Sequence, residues 1–421
     1  MTWGESLAPL RSKPFRRLVI GRTISMLGNG IAPIALAFAV LDLTDSATAL
    51  GLVVAARSVT SVLFILVGGV VADRLPRHLV TVVSALAAGA CQIVAGALVL
   101  TGNANVPLLA ACAAVGGIAS AFTFPAMSSL LGQVIDPDQR KSANAINRMG
   151  ANAAMIIGAS SGGILVAAFN PGIGLVIDGL TFAVAAFMFS LVKVPSVAVA
   201  PVAGERSSMI RDLRVGWREF IGRTWLWVVV LGFMFLNAAE VGAFGVLGPV
   251  IAEDTVGRKA FGLALAAETL GMVVGAVIAL RWVRVKRLLL VGCVSMLLPV
   301  LPLVVLAVHP HPLWLIGSCF IAGVGVEQFG IAWETTMQEH VPADKLARVY
   351  SYDMLGSIVA IPAGQVAAGP AAAVFGPVAA ITGAAGIVGV AVAGMVASRS
   401  VRNLHHNPTP TLTPAPVPTP V

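Results

Sequence analysis

Four ionisable side chains lie near the middle of long apolar runs, where a charge is costly: Arg57, Glu240, Glu268 and Glu327. Such residues are rare inside membrane spans and mark pathways for ions or solutes. A carboxyl group there can carry a proton or attract a cationic solute, whereas Arg57 can be its counter-ion or hold an anionic solute. A purely structural role, as a carboxylate or guanidinium held by hydrogen bonds or an ion pair, stays open for each of them.

The spacing of neighbouring residues adds to this set. Asn237 precedes Glu240 by three positions, which places both on one face of a helix. Glu268 shares a face with Gly271 and Gly275, a pattern that favours close helix packing. We therefore expect the acids to face protein or water rather than lipid.

Six further polar residues are weaker candidates. Asn29, flanked by glycines, could line a cavity or mark a helix irregularity. Four others lie close to the ends of their runs, where a salt-bridge gate or a reach to the interface is favoured over substrate contact: Arg22, Arg148, Glu334 and Asp353. Asp178 lies about one turn from the end of its run, and we expect solvent to wet it.

The elements that position these residues are transmembrane helices. Of 421 residues, 57% are hydrophobic and 11% charged, which excludes ordinary soluble domains. Apolar runs of about 20 residues match a bilayer core about 30 Å thick. The sequence predicts an all-α integral membrane protein with twelve spans near 18–41, 49–72, 79–101, 107–132, 143–168, 173–194, 225–250, 260–280, 288–308, 313–336, 349–368 and 371–397.

The basic residues predict the orientation of these spans. Twenty-two of the 27 Lys and Arg residues lie at the termini or in the loops that follow even-numbered spans. Since basic loops stay in the cytoplasm, we expect both termini to be cytoplasmic, in the inner membrane. The formal net charge of +8 is then a topology signal, and a nucleic-acid partner is not expected.

The chain divides into two halves. A basic loop separates six spans from six, and the turn at Asp136-Pro137 lies 205 positions before a similar turn at Val341-Pro342. Duplicated halves with a site between them are typical of secondary transporters. The predicted organisation is a six-helix bundle over 1–194, a cytoplasmic loop over 195–224, a second bundle over 225–400 and a disordered Pro/Thr-rich cytoplasmic tail over 401–421.

The sequence carries no signature of enzyme chemistry. It has no P-loop, and its four cysteines lie in apolar runs without a C-x-x-C pair. We expect neither a cofactor nor a bound metal, and not an enzyme.

One loop carries a known motif. Gly69, Asp73, Arg74 and Arg77 follow the spacing G-x-x-x-D-R-x-x-R. On this motif, and on Ala121-Phe122-Thr123-Phe124-Pro125-Ala126 and Gln338-Glu339-His340-Val341-Pro342, nearly the whole chain resembles the major facilitator superfamily, in the branch of bacterial drug, macrolide and siderophore exporters. In that family the loop latches the two halves together at the cytoplasmic side.

The fifth span departs from the family pattern. Gly158, Gly162 and Gly163 are similar to the antiporter motif G-P-x-x-G-G, but Ala159 stands where proline is usual. The fourth span also lacks the arginine that many proton-coupled drug exporters of the family carry. The resemblance therefore implies a small-residue packing face on the fifth helix, while coupling must use other residues or be absent.

The resemblance implies two six-helix bundles of the major facilitator fold and a secondary transporter that acts, as a monomer, by alternating access. The expected activity is proton-coupled efflux of small amphipathic compounds, such as drugs, antibiotics or siderophore-like metabolites, which would give antibiotic resistance by antiport. Nutrient uptake, facilitated diffusion and ligand sensing without transport on the same scaffold stay open. The expected partners are the small-molecule substrate, protons and the lipid bilayer.

Overall fold

The computed structural model of the chain describes residues 8–135, 139–192, 216–279 and 285–406. Every regular element in these ranges is helical, and twelve segments are long and apolar enough to cross a membrane. The prediction of twelve transmembrane helices in two bundles of six is confirmed.

The helices follow one another with short connections. The amino-terminal half consists of α1 (Lys13–Thr44), α2 (Ala47–Arg74), α3 (Arg77–Leu100), α4 (Val106–Gln133), α5 (Arg140–Ala168) and α6 (Pro171–Ser190). The carboxy-terminal half consists of α7 (Thr224–Ala239, Glu240–Phe244 and Gly245–Asp254), α8 (Arg258–Ala279), α9 (Leu288–Ser295 and Val300–Val308), α10 (Pro312–His340), α11 (Ala343–Ile358 and Ile361–Phe375) and α12 (Pro377–Ala397). A short helix, α13 (Arg399–Arg402), follows.

Three helices of the carboxy-terminal half are interrupted. Proline has no N–H group to bond the carbonyl four residues earlier. Pro299 therefore leaves the Ser295 carbonyl without its α-helical partner in α9, and Pro362 does the same to Ile358 in α11. The middle segment of α7, Glu240–Phe244, is a π-helical turn.

The boundary between α11 and α12 differs from the predicted one. The sequence prediction ended one span at residue 368 and began the next at 371, on either side of Gly369-Pro370, but Pro370 lies inside α11. The chain turns instead at Gly376, whose φ of +84° is readily adopted only by glycine. Pro377 then begins α12, where a missing N–H costs nothing.

Part of the predicted linker is helical. Residues 216–221 form a short helix, and residues 193–215 lie outside the described ranges. Glu219 in this helix accepts hydrogen bonds from Lys345 and Arg223, and these bonds lower the pKa of its carboxyl group. The end of the linker is thereby fixed to the start of α11.

The start of the predicted tail is packed. Val401 of α13 is fully buried, and the backbone N–H of His406 donates to the carbonyl of Lys286 over 2.9 Å. The chain is thus ordered to His406, five residues beyond the predicted start of disorder, and residues 407–421 lie outside the described ranges.

Within each half, helices approach closely at glycines. A methyl group on Gly89 of α3 would lie 2.9 Å from the Gly179 carbonyl oxygen of α6. On α10, a methyl group on Gly323 would overlap the Glu268 carbonyl of α8. Because lipid gives apolar helices little hydrophobic reason to associate, such close packing provides much of the attraction between them.

Among the described residues, the closest contacts between the two halves lie near one end. We call the end where α1 begins and α12 ends the terminal end, and the other the opposite end. Close contacts between the halves lie toward the opposite end: Gly163 of α5 against Gly262 of α8, and Thr48 of α2 against Gly369 of α11. The first segment of α11 packs within its own half, on α7 and α10. The described residues therefore close the space between the halves, which we call the cleft, at the opposite end and leave it open at the terminal end.

The contact at Gly323 gives a test of this packing. We expect Gly323→Ala to lower the melting temperature of the detergent-purified protein by several degrees, because the added methyl group forces α8 and α10 apart. Gly317→Ala on the same helix is the matched control: nothing lies within 4 Å of the new methyl group, so its melting temperature should stay or rise. Equal melting temperatures for the two variants would contradict the described α8–α10 contact.

Candidate functional site

Two of the predicted acids lie together in the carboxy-terminal half. Glu240 begins the π-helical turn of α7, and Glu268 lies on α8 close enough to repel it when both are ionised. Cys319 of α10 borders both acids. Neither carboxyl group forms a hydrogen bond or ion pair with a described residue, and among those residues no three potential metal ligands cluster. We call Glu240 and Glu268 the acid pair.

The π-helical turn of α7 packs against α11. A methyl group on Gly242 would lie 2.8 Å from the Cα atom of Gly364, so the two helices touch through their backbones. One turn earlier, Asn237 donates from Nδ2 to the Ser357 carbonyl of α11 over 2.8 Å. Asn237 and Glu240 thus have different neighbours, α11 and α8 respectively. Single π-helical turns are frequent at functional sites, and this one places the Glu240 carboxyl group toward α8.

The amino-terminal half contains a second buried acid. Asp178 of α6 is fully buried, and its Oδ2 accepts a hydrogen bond from Gln92 of α3. Its other oxygen has no hydrogen-bond partner among the described residues. Arg57 of α2 is close enough to attract it. The sequence prediction that solvent wets Asp178 is wrong, and this acid, rather than Glu240, Glu268 or Glu327, is the one beside Arg57.

The burial of Asp178 follows from the α1–α6 contact. A methyl group on Gly28 would overlap the side chains of Asp178 and Thr181, so the α1 backbone lies directly on the carboxylate. A signal was present in the sequence, because glycines at 174 and 179 flank Asp178 and mark this part of α6 as a packing face. Asn29, the neighbour of Gly28, is half-buried and makes no hydrogen bond with a described residue.

Opposite charges face each other across the open cleft. Arg148 of α5 is exposed and lies close enough to Glu327 of α10 to attract it. Arg22 of α1 neighbours Arg148, and the exposed Glu334 neighbours Glu327. The amino-terminal wall of the cleft is therefore basic and the carboxy-terminal wall acidic.

Asp353, the third predicted gate residue, is held within its own half. Its Oδ2 accepts a hydrogen bond from Trp333 Nε1 over 2.9 Å, and its Oδ1 lies 3.4 Å from the Ser357 hydroxyl group. Trp333 in turn stacks on Phe329 with ring centroids 5.9 Å apart. Asp353 is thus part of an α10–α11 contact, whereas Arg148 and Glu334 form no ion pair or hydrogen bond with a described residue.

A charge cluster joins the halves at the opposite end. Arg258 at the start of α8 bonds Asp42 near the end of α1 and Glu253 at the end of α7, the latter over 2.7 Å. Its guanidinium carbon lies 4.9 Å from the ring centroid of Phe38, a cation–π contact. Sequence reasoning did not single out this cluster, although Arg258 and Lys259 were the only basic residues on the basic-poor side. We call Arg258, Asp42 and Glu253 the closing cluster.

The small residues of α5 make close contacts both within the amino-terminal half and with the carboxy-terminal half. A methyl group on Gly162 would lie 3.0 Å from the Cα atom of Ile31, and Gly158 likewise touches the Leu27 carbonyl of α1. Gly163, one position further, faces α8 instead. The helix runs unbroken through Ala159, which stands at the position of the usual proline. Of the predicted latch motif, Arg77 begins α3, and the side chains of Gly69, Asp73 and Arg74 lie outside the described part of the chain.

Comparison with known proteins gives one family. The sequence model of the Major Facilitator Superfamily matches residues 18–365. Among curated proteins, the enterobactin exporter EntS of Escherichia coli O1:K1 / APEC is 24% identical over 360 residues, which cover 83% of each chain.

Solved structures with the same fold include two transporters. The nucleoside transporter NupG superposes with a TM-score of 0.70 at 14% identity, covering 91% of this chain and 98% of its own. A bacterial homologue of the human lysosomal transporter Spinster, in an inward-facing and unoccupied conformation, superposes with a TM-score of 0.68 at 14% identity, covering 96% and 98%. At this identity the likeness concerns the fold alone.

The closing cluster predicts a shift in conformation on mutation. Asp42→Asn should raise the population with an open opposite end about twofold to fivefold, since a partly exposed ion pair contributes up to about 1 kcal/mol. The measurement is the distance distribution between spin labels at Thr101 and His309, on opposite-end loops of the two halves, in a variant whose native cysteines are replaced.

Asp254→Asn is the matched control for this change, because Asp254 is an exposed acid at the same end that lies outside the closing cluster. Its distance distribution should equal that of the parent protein. A distribution for Asp42→Asn that matches the control would show that the cluster does not hold the halves together.

Proposed function

The chain belongs to the Major Facilitator Superfamily, and from this premise we propose that it exports small amphipathic compounds, among them drugs, antibiotics or siderophore-like metabolites, in exchange for protons. Membership makes it a multi-pass membrane protein with the family and fold of transporters. The observation that carries the proposal of proton coupling is the acid pair, two carboxyl groups within a span that lie near enough to repel each other and form no ion pair with a described residue.

The acid pair has the chemistry of a proton carrier. Two neighbouring carboxylates in a desolvated site repel each other when both are ionised, and a proton bound by one of them removes that repulsion. A proton taken up there changes the charge next to the π-helical turn of α7, which touches α11 at Gly242. Because α11 also contacts the other half, protonation can bias the arrangement of the two halves.

We propose export as the direction of transport. We assign the basic terminal end to the cytoplasm, which makes the open cleft accessible from the cytoplasm. In this cycle the substrate enters the cleft from the cytoplasm while the acid pair is deprotonated. Rearrangement at the closing cluster then opens the opposite end, where a proton binds the acid pair and the substrate leaves. The protein then returns to the state that is open to the cytoplasm. The named activity of the curated relative, enterobactin export, is consistent with this direction.

The acid pair can be tested in inverted membrane vesicles. Glu240→Gln and Glu268→Gln should each reduce substrate accumulation driven by an acidic vesicle interior by at least about tenfold, because a neutral amide cannot carry the proton. Exchange of labelled for unlabelled substrate, which moves no net proton, should continue in both variants. The substrates are a panel of fluorescent and radiolabelled drugs.

Asp45→Asn is the control for this pair. Asp45 is exposed at the opposite end and has a φ of +47°, a conformation that Asn also tolerates, so proton-driven accumulation should be unchanged. Wild-type rates in both Gln variants would overturn the assignment of the acid pair. Accumulation only when the gradient is reversed would instead make the protein an uptake system.

A further inference from the structure

We propose that Arg22 and Arg148 form a subsite for an anionic group of the transported compound, such as a carboxylate or phenolate. The inference rests on the proposed export function and specifies its substrate class. It starts from the basic wall of the cleft, to which the proton cycle gives no role.

The two arginines are brought together by a helix crossing. A methyl group on Gly150 of α5 would lie 2.7 Å from the Thr23 hydroxyl oxygen of α1, so the two backbones approach each other beside Arg22 and Arg148. At 1.5 Å per residue, Arg22 lies about 14 Å from the start of α1 and Arg148 about 12 Å from the start of α5. The guanidinium groups thus sit at similar depth within the span, near enough to repel each other.

Neither guanidinium group has an acidic partner among the described residues. Arg22 and Arg148 form no ion pair there, and the Nε atom of Arg22 is buried without a hydrogen-bond acceptor. Two like charges within a span are costly unless a counter-charge compensates them, and Glu327, which attracts Arg148, forms an ion pair with neither arginine. An anion in the open cleft would supply this counter-charge and would accept hydrogen bonds from both guanidinium groups.

Glu327 is the competing counter-charge. It attracts Arg148 from the acidic wall but forms no ion pair with a described residue, so the cleft in this state leaves room between them. A substrate anion at Arg22 and Arg148 would take the place of that carboxylate. This competition distinguishes an anion subsite from a gate. If Arg22 and Arg148 form an anion subsite, removal of the Glu327 charge should strengthen anion binding. If they form only a gate with Glu327, its removal should leave anion binding unchanged.

Two dyes with the same tricyclic core and opposite charge provide the test: anionic fluorescein and cationic rhodamine 123. Binding of each dye to the purified full-length protein is measured by fluorescence anisotropy. Wild-type protein should bind fluorescein at least about tenfold more tightly than rhodamine 123. Arg22→Gln and Arg148→Gln should each weaken fluorescein binding by about tenfold or more, the effect of one charge-assisted hydrogen bond, and leave rhodamine 123 binding unchanged.

Three further variants keep the test independent of misfolding. Arg148→Lys should retain more fluorescein affinity than Arg148→Gln, because it keeps the charge. Glu327→Gln should bind fluorescein more tightly than the wild type, a gain that a damaged protein does not show. Arg287→Gln is the matched control, because it removes an exposed positive charge at the same end, outside the cleft wall, and should change neither affinity.

The proposal is overturned if wild-type protein binds neither dye, if it prefers rhodamine 123, or if Arg148→Gln weakens both dyes equally. The outcome is separate from that of the proposed function, because binding needs no proton gradient. Charge-selective binding without proton-driven flux would keep the anion subsite and refute proton-coupled export. Proton-driven flux of the drug panel without any preference for the anionic dye would refute the anion subsite and keep proton-coupled export.

Discussion

Close contact between helix backbones at glycine is the interaction on which the rest of this structure depends. In lipid, apolar side chains on two helices gain little by leaving one apolar medium for another, so attraction must come from short-range packing. The contacts of Gly323 with Glu268, and of Gly28 with Asp178, also fix the positions of ionisable residues. The same packing that holds the helices of each half together thus keeps acidic side chains such as Asp178 away from water.

The distribution of charge along the membrane normal sorts the ionisable residues into three levels. At the opposite end, Arg258 joins the halves through Asp42. Deeper within each half, acids lie among packed helices, with Asp178 in one half and Glu240 beside Glu268 in the other. Toward the terminal end, Arg148 and Glu327 lie on facing walls of the cleft and form no ion pair between them. The three levels are thus a contact that joins the halves, acids buried within each half, and charged groups on facing walls of the cleft.

The sequence predicted the helices far better than the partners of their side chains. Hydropathy located all twelve spans, because a bilayer imposes one length and one composition on every helix. It misplaced the end of α11, since proline at 370 is tolerated within a helix and the turn depends on the positive φ of Gly376. It placed Asp178 in solvent and did not foresee the closing cluster. Both errors have one cause: hydropathy gives depth along a helix, whereas burial and ion pairing depend on which neighbour a helix face meets.

The interruption of α11 at Val359 and Ala360 lets the two segments of that helix bend relative to each other. Its first segment packs within the carboxy-terminal half, while its second segment lies against α2 of the other half. Pro362 removes the hydrogen bond that would make the two segments one stiff rod. The helix can therefore flex at its middle. The first segment can then tilt with its bundle while the second segment stays packed on α2. Motion at the mouth of the cleft need not be transmitted rigidly to the far side, and the two sides can rearrange in succession rather than together.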